Sequence, residues 1–145
     1  MNQSSALDRF FASHAAGEVV RGEPLARHTS YRVGGPADYF VVPGDVESLK
    51  GLLRCCGEHG VPVFLLGEGA NVLVSDAGFR GVVISMSGGF GYVQSLEGNR
   101  VRAGAGVTVR TLVRFCEQRG LGGVEGLAGI PGTVGGALVM NAGAA

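Results

Sequence analysis

The sequence has few of the features that mark common classes of binding protein. Its only lysine is Lys50, so the Gly-Lys pair of a Walker-type ATP-binding loop is missing. The 12 basic and 12 acidic residues cancel to a net charge of +0, which gives no basic surface for nucleic acid. No apolar run approaches the ~20 residues of a membrane helix, and no secretory leader is recognisable. These absences argue against P-loop ATP hydrolysis and against nucleic-acid or membrane partners.

Cysteine is also scarce, with only three residues, Cys55, Cys56 and Cys116. They form no Cys-x-x-Cys pair and no spacing typical of metal ligands, so the sequence predicts no metal site. All three lie in apolar, helix-like runs and are predicted to be reduced packing residues. An odd number of cysteines without a disulfide framework fits a reducing compartment, so a cytoplasmic location is expected.

Glycine, by contrast, is abundant. There are 27 glycines, where average usage of about 7% would give roughly ten. They cluster towards the C-terminal end without a Gly-X-Y period, which excludes collagen. Glycine permits positive φ and leaves no Cβ between the backbone and a bound group. A cluster of this kind predicts close backbone approach to a ligand or to another segment.

Hydrophobic periodicity predicts a chain of mixed helices and strands. A helix is expected over residues 5–14, followed by an irregular polar segment at 18–30. A strand at 37–42, a helix after the N-cap Asp45 that runs to about residue 59, and a strand at 61–66 would form a βαβ unit. The second strand is expected to be buried on both faces because its apolar run is continuous. The predicted inner face of the helix comprises Val46, Leu49, Leu52, Leu53 and Cys56.

The second half of the chain is expected to form a mixed sheet with one main helix. That helix begins after Thr108 and ends near residue 119, and a short helix is expected around 133–140. Glu97, Gly98 and Asn99 predict a hairpin turn. The expected strands span residues 72–74, 82–86, 92–96 and 101–103.

The predicted organisation is an N-terminal helix within residues 1–20 and one domain over 21–145. The domain is expected to have a small βαβ lobe at 21–66 and a mixed-sheet lobe at 67–145. A chain of 145 residues is of single-domain size. Because the densest glycine cluster stands at its end, the sequence is expected to be part of a longer protein.

The first glycine-rich loop begins at Gly67 and follows an apolar strand. A Rossmann fingerprint requires a third glycine and a following helix, and this loop has neither. Successive N–H groups could still form a nest for a phosphate, and a tight structural turn is the alternative. If the loop binds a phosphate through close approach, Gly69→Val is expected to abolish binding and to leave the fold largely intact.

The second glycine-rich loop runs from Gly126 to Gly143. Pro131 followed by Gly132 predicts a type II turn. A long irregular segment within a domain is usually functional, so ligand contact is expected here; a backbone crossing packed against the sheet is the alternative. Together the two loops favour an extended dinucleotide, with Gly104, Ala105 and Gly106 as a further wall.

Three sequence blocks resemble the UDP-N-acetylenolpyruvoylglucosamine reductases, the MurB family. The first block runs from Thr29 to Ala37 and contains Arg32, Gly34 and Gly35. The second begins at Gly67 and includes Asp76, Gly78, Phe79 and Gly81. The third is the Gly126 segment with Asn141, Ala142 and Gly143. The resemblance covers roughly residues 20–145.

The resemblance implies the FAD-binding fold of the p-cresol methylhydroxylase (PCMH) and vanillyl-alcohol oxidase type. It also implies a cytoplasmic flavoenzyme of peptidoglycan synthesis that uses NADPH to reduce FAD and then reduces an enolpyruvyl UDP-sugar. The Gly67 loop contains no histidine, so FAD is expected to bind noncovalently. The implied FAD-binding residues are Gly67, Glu68, Gly69, Ala70, Asn71, Val72, Leu73, Gly126, Ile130, Pro131, Gly132, Thr133, Gly135, Gly136, Asn141, Ala142 and Gly143.

The resemblance assigns no catalytic residue to this chain. The proton-donating Ser, the catalytic Glu and the substrate-orienting Arg of the family lie downstream, as does the domain that binds the UDP-sugar substrate. Arg32 is implied only as a secondary contact. The chain alone is therefore expected to be inactive. An FAD-linked oxidase of the same fold and a glycine-rich scaffold without a cofactor are the alternatives.

Overall fold

The computed structural model describes residues 3–14 and 17–143. The predicted N-terminal helix region, 1–20, and the predicted domain, 21–145, each include residues outside these described ranges. The strands are β1 Glu18–Pro24, β2 Pro36–Val42, β3 Val63–Leu66, β4 Phe79–Ser85, β5 Val93–Leu96 and β6 Arg100–Ala103. The α-helices are α1 Gln3–Ser13, α2 Val46–Glu58, α3 Val109–Glu117 and α4 Val134–Val139. Two short 3-10 helices span Leu25–His28 and Glu125–Leu127. The predicted α+β class is confirmed.

A four-stranded mixed sheet in the order β1-β2-β4-β3 forms the main core. β1 is antiparallel to β2, while β2 and β3 are both parallel to β4. Val82, Val83 and Ile84 of β4 are completely buried. Their side chains alternate between two apolar clusters, one beneath α1 and α2 and one beneath residues 25–40. A central strand buried on both faces explains the continuous apolar sequence of β4.

The predicted strand–helix–strand unit is present as β2, α2 and β3, but β4 lies between its two strands. β4 falls within residues 67–145, which were expected to form the second lobe, yet it hydrogen-bonds in the first sheet. Parallel pairing between β2 and β4 joins residues far apart in the chain. Periodicity alone does not reveal such a pairing.

Helix α2 begins as predicted at Asp45, whose carboxylate accepts a hydrogen bond of 2.7 Å from the backbone N–H of Ser48. Its buried residues are Leu52, Cys55 and Cys56. The expected inner face was wrong at Val46 and Leu53, which are 51% and 41% exposed, and it omitted Cys55. The buried stripe follows the direction in which α2 packs against α1 and the sheet, a direction that the α2 sequence alone does not fix.

Three other local predictions were wrong. Residues 18–24, expected to be irregular, form the edge strand β1 because β2 offers a complete set of pairing partners. β3 is an edge strand with Leu65 56% exposed, so it is not buried on both faces. Residues 72–74 form no strand. Val72 and Val74 pack against the core while Leu73 is exposed, so buried and exposed side chains alternate as in a strand although the backbone pairs with no neighbouring strand.

The second half agrees better with the prediction. β5 and β6 form an antiparallel hairpin, and its turn has positive φ at Gly98 and Asn99. Thr108 caps α3 by accepting a hydrogen bond of 3.0 Å from the N–H of Thr111. The buried residues of α3 are Val109 and Cys116. Within the described residues, no helix is long and apolar enough to cross a membrane.

Candidate dinucleotide site

A cavity of about 560 Å³ lies beside the carboxyl ends of the parallel strands β3 and β4. Gly67 and Glu68 line it directly after β3, and Ser85 and Ser87 line it at the end of β4. The hydroxyl oxygens of the two serines are 2.9 Å apart. Ligands of open sheets that contain parallel strands commonly bind beside the carboxyl ends of those strands. The volume lies within the usual range of about 300–1,000 Å³ for a small-molecule site.

The opposite wall of the cavity comes from the segment between β1 and β2. Arg27, His28, Thr29, Ser30 and Arg32 line it. The His28 ring stacks on Phe40 with ring centroids 4.1 Å apart, and its Nε2 lies 2.9 Å from Oε1 of Glu23. The backbone N–H of Ser30 donates to the carbonyl of Gly69 at 3.0 Å. The wall is therefore attached to the first glycine-rich loop.

The structure explains why residue 69 is glycine. Gly69 has a φ of +66°, and a Cβ there would overlap the carbonyl oxygen of His28. Because the backbone itself requires glycine here, Gly69→Val would displace residues 28–30 of the opposite cavity wall whether or not a ligand binds. The expectation that this substitution leaves the fold largely intact is therefore wrong, and a test of ligand approach needs another position.

The two glycine-rich loops, which are far apart in sequence, lie side by side. A Cβ on Gly67 would overlap the Oγ1 of Thr133, and a Cβ on Gly132 would lie 3.9 Å from the Cβ of Ala70. The second loop is held in place by α3, since the N–H of Val109 donates to the carbonyl of Gly132 at 2.9 Å. The second loop therefore lies directly beside Gly67, which lines the cavity, while no residue of the second loop is among the described lining residues.

The remaining part of the second loop leads into α4. Gly132 has a φ of +107°, a conformation that glycine adopts without strain. Thr133 caps α4 by accepting a hydrogen bond of 3.2 Å from the N–H of Gly136. A Cβ on Gly135 would lie 2.9 Å from the Cβ of Ala105, so the expected third wall lies against this loop.

The glycines of that third wall serve the packing of the chain itself. A Cβ on Gly104 would overlap the carbonyl of Phe90, and one on Gly106 would overlap the carbonyl of Met86. By contrast, a Cβ on Gly126 would have no protein atom within 4 Å, and its φ is not in the positive range. Neither backbone conformation nor packing within the described residues accounts for glycine at position 126.

The implied cofactor-binding residues differ in accessibility. Several are exposed and free to meet a ligand: Glu68, Asn71, Leu73, Gly126, Pro131, Asn141 and Gly143. Others are partly buried: Gly67, Ala70, Val72, Ile130, Gly132, Gly135, Gly136 and Ala142. Gly69 and Thr133 are buried. Asn141 has a positive φ of 47° at the end of α4, which suits an asparagine in a turn.

The lining of the cavity carries more positive than negative side chains. Arg27 and Arg32 line it together with His28, which is charged only when it is protonated, and Glu68 is the acidic residue among the described lining residues. Glu23 balances part of this charge, since its Oε1 lies 3.6 Å from Arg27 and 2.9 Å from His28. Such a lining favours an anionic ligand.

A further carboxylate, that of Glu125, directly precedes the second loop. Hydrogen bonds from the backbone N–H groups of Glu125 and Gly123 lower the pKa of the Glu125 side chain. One of these bonds, from Gly123 to Oε2, is 2.7 Å long. The Glu125 carboxylate is therefore ionised at neutral pH, and it already accepts hydrogen bonds from neighbouring backbone N–H groups. It is unsuitable as a proton donor for both reasons.

Sequence reasoning missed several cavity residues. Arg27, His28 and Ser30 were not predicted, although Ser30 lies in the first resemblance block and Arg27 and His28 directly precede it. Ser85 and Ser87 were also missed as lining residues; their position at the end of a buried strand was the available signal. Only the pairing of β4 with β3 shows that they face the Gly67 loop across one cavity.

Comparison with known proteins identifies the family of the chain. Residues 37–145 match the FAD binding domain family. UDP-N-acetylenolpyruvoylglucosamine reductase of Geobacter sulfurreducens is 56% identical over 128 residues, which cover 88% of this chain and 42% of that protein. The chain thus spans about two fifths of the length of the curated relatives it matches.

Solved structures give the same result. The structure of UDP-N-acetylenolpyruvylglucosamine reductase (MurB) from Thermus caldophilus has a TM-score of 0.71 and 39% identity, covering 87% of this chain and 42% of that one. p-Cresol methylhydroxylase, with a TM-score of 0.55 and 16% identity over 81% of this chain and 25% of its own, shows the same fold. The predicted PCMH-type fold is confirmed. The chain belongs to the FAD binding domain family and is similar to the part of UDP-N-acetylenolpyruvoylglucosamine reductases that it matches.

Proposed function

We propose that this chain is the FAD-binding part of a UDP-N-acetylmuramate dehydrogenase, which reduces UDP-N-acetylglucosamine enolpyruvate in peptidoglycan synthesis. The observation that carries the proposal is the contact between Gly67 and Thr133, which brings the second glycine-rich loop against the first loop, whose Gly67 and Glu68 line the cavity. The similarity to reductases at 56% identity supports the reaction class. It also favours the reductase over an FAD-linked oxidase, since the likeness to 4-ethylphenol oxidase, at 17% identity, is in fold alone.

The residues present fit a dinucleotide. The backbone of the Gly67 loop and the cationic side chains of the opposite wall suit a diphosphate, which needs N–H donors and positive charge. The second loop, with Ile130 and Pro131, would contact the flavin ring. FAD supplies hydride transfer when it is bound. Since the cavity-lining Gly67 loop offers no histidine, binding is noncovalent in this proposal.

In the whole protein, NADPH is proposed as the reductant and the UDP-sugar as the substrate. In this proposal the catalytic Ser, Glu and Arg that the resemblance implies lie downstream and are not residues of this chain. The chain alone should therefore fail to oxidise NADPH when FAD and substrate are added. Turnover measured by the loss of NADPH absorbance would contradict this part of the proposal. The cytoplasmic location expected from the sequence stays part of the proposal.

FAD binding is tested most directly with two matched glycine substitutions. A Cβ at Gly126 or at Gly57 meets no protein atom within 4 Å, both residues are exposed, and neither has a positive φ. Gly126 lies in the proposed site, whereas Gly57 lies on α2. Gly126→Leu should therefore weaken FAD binding, while Gly57→Leu should not.

The measurement is the dissociation constant of FAD by flavin fluorescence or calorimetry. Overpacking that costs about 1–3 kcal/mol would weaken binding about 5- to 150-fold. Equal affinities for the two variants would remove Gly126 from the site. A chain that shows no FAD binding would contradict the proposed function and favour the scaffold without a cofactor.

A further inference from the structure

Arg32 occupies an unusual backbone position in the cavity wall. Its φ is +54°, in the left-handed region that residues other than glycine rarely adopt. The N–H of Arg32 donates to the carbonyl of Thr29 at 3.1 Å, and the hydroxyl of Thr29 donates to the carbonyl of Val33 at 3.1 Å. Backbone strain of this kind is concentrated at ligand clamps and other functional positions.

This turn is joined to the first glycine-rich loop. The adjacent Ser30 donates its N–H to the carbonyl of Gly69, and Gly69 lies so close to His28 that no side chain fits there. Gly34, which follows the turn, packs against Val74 at the exit of the same loop. The position of Arg32 relative to the Gly67 loop is thus fixed from both sides.

Arg32 differs in its ion pairing from Arg27, the other arginine of the cavity wall. Arg27 and His28 share the carboxylate of Glu23. Among the described residues, no carboxylate forms an ion pair with Arg32. An exposed arginine without a partner is ordinary on a protein surface; its combination with a left-handed turn and a cavity is what sets Arg32 apart.

We propose that the Arg32 guanidinium contacts the phosphates of the dinucleotide bound in this cavity, an inference that rests on the proposed FAD site. A guanidinium offers paired donors that match phosphate oxygens, and such charge-assisted bonds are stronger than neutral ones. The hydroxyls of Ser30, Ser85 and Ser87 line the same cavity and can supply neutral donors. The carboxylate of Glu68, on the same lining, would repel the phosphates. The guanidinium of Arg32, which is not neutralised by a carboxylate, would offset this repulsion.

The test is Arg32→Gly, because glycine removes the guanidinium and adopts the positive φ without strain. The matched control is Arg80→Ala, since Arg80 is also an exposed arginine but pairs with Asp38 at 2.7 Å and does not line the cavity. Arg32→Lys keeps a charge and should retain part of the affinity. FAD dissociation constants are measured for all variants at low and high salt.

We expect Arg32→Gly to weaken FAD binding about 10- to 100-fold at low salt and to reduce the dependence of affinity on salt. Arg80→Ala should leave both quantities unchanged. Wild-type affinity in Arg32→Gly would overturn the inference and leave the proposed function standing. Weaker binding with an unchanged salt dependence would also overturn it, because it would show a structural role. Absence of FAD binding by the unmodified chain would overturn both proposals.

Discussion

The contact between the two glycine-rich loops can be tested with Gly67→Ala. An added Cβ would overlap the Oγ1 of Thr133, and that oxygen caps α4 by accepting from the N–H of Gly136 at 3.2 Å. Either the loops separate or the threonine rotates and the cap is lost. Overpacking costs about 1–3 kcal/mol, and loss of a threonine cap costs about 1 kcal/mol.

If FAD requires both loops in their present arrangement, the affinity should fall by the same free energy, which corresponds to about 5- to 150-fold. The assay is an FAD titration, with circular dichroism to verify that the helices persist. Gly57→Ala on α2 is the control, because its Cβ meets no protein atom within 4 Å.

A second substitution separates a loop effect from a general loss of stability. Thr133→Gly removes the overlapped oxygen, and glycine at an N-cap costs only a few tenths of a kcal/mol. The double variant Gly67→Ala/Thr133→Gly should therefore bind FAD more tightly than Gly67→Ala alone. Unchanged affinity in Gly67→Ala, or no recovery in the double variant, would refute the reasoning that the two loops act together.

Three further outcomes follow from the fold. Ile84→Ala, at a completely buried position of β4, should lower the free energy of unfolding in denaturant by about 2–5 kcal/mol. Leu65→Ala, on the exposed side of β3, should change that free energy by less than about 0.5 kcal/mol. Similar losses in the two variants would contradict the central position of β4 in the sheet. Burial raises the pKa of the Cys56 thiol to about 11, so this thiol should react with a thiol reagent at pH 8 only after denaturation; rapid labelling of the folded chain would count against this packing. Hydrogen bonds from the Ser48 side chain and backbone N–H lower the pKa of Asp45 below its ordinary value of 3.8, so its contribution to stability is present above that value and is lost as pH falls below it. Asp45→Asn keeps the cap and should flatten the dependence of stability on pH in that range; an unchanged pH profile would contradict this role.

Local elements were predictable from the sequence where local physics decides them. Asp45 and Thr108 cap helices as predicted, because an N-cap depends on the side chain and on the backbone only three residues ahead. The hairpin turn at Gly98 and Asn99 follows from residues that tolerate positive φ. The glycine-rich loops were recognisable for the same reason, and the family resemblance indicated their shared ligand.

What the sequence determined by itself was therefore the helix caps, the hairpin turn, the α+β class and the presence of the two glycine-rich loops. Only the tertiary structure decided that β4 inserts between β2 and β3 and that residues 18–24 pair as an edge strand. It alone also placed Arg32, Ser85 and the Gly67 loop around one cavity. These relations depend on contacts between residues distant in the chain, whose energies come from mutual burial and pairing, so no local pattern encodes them.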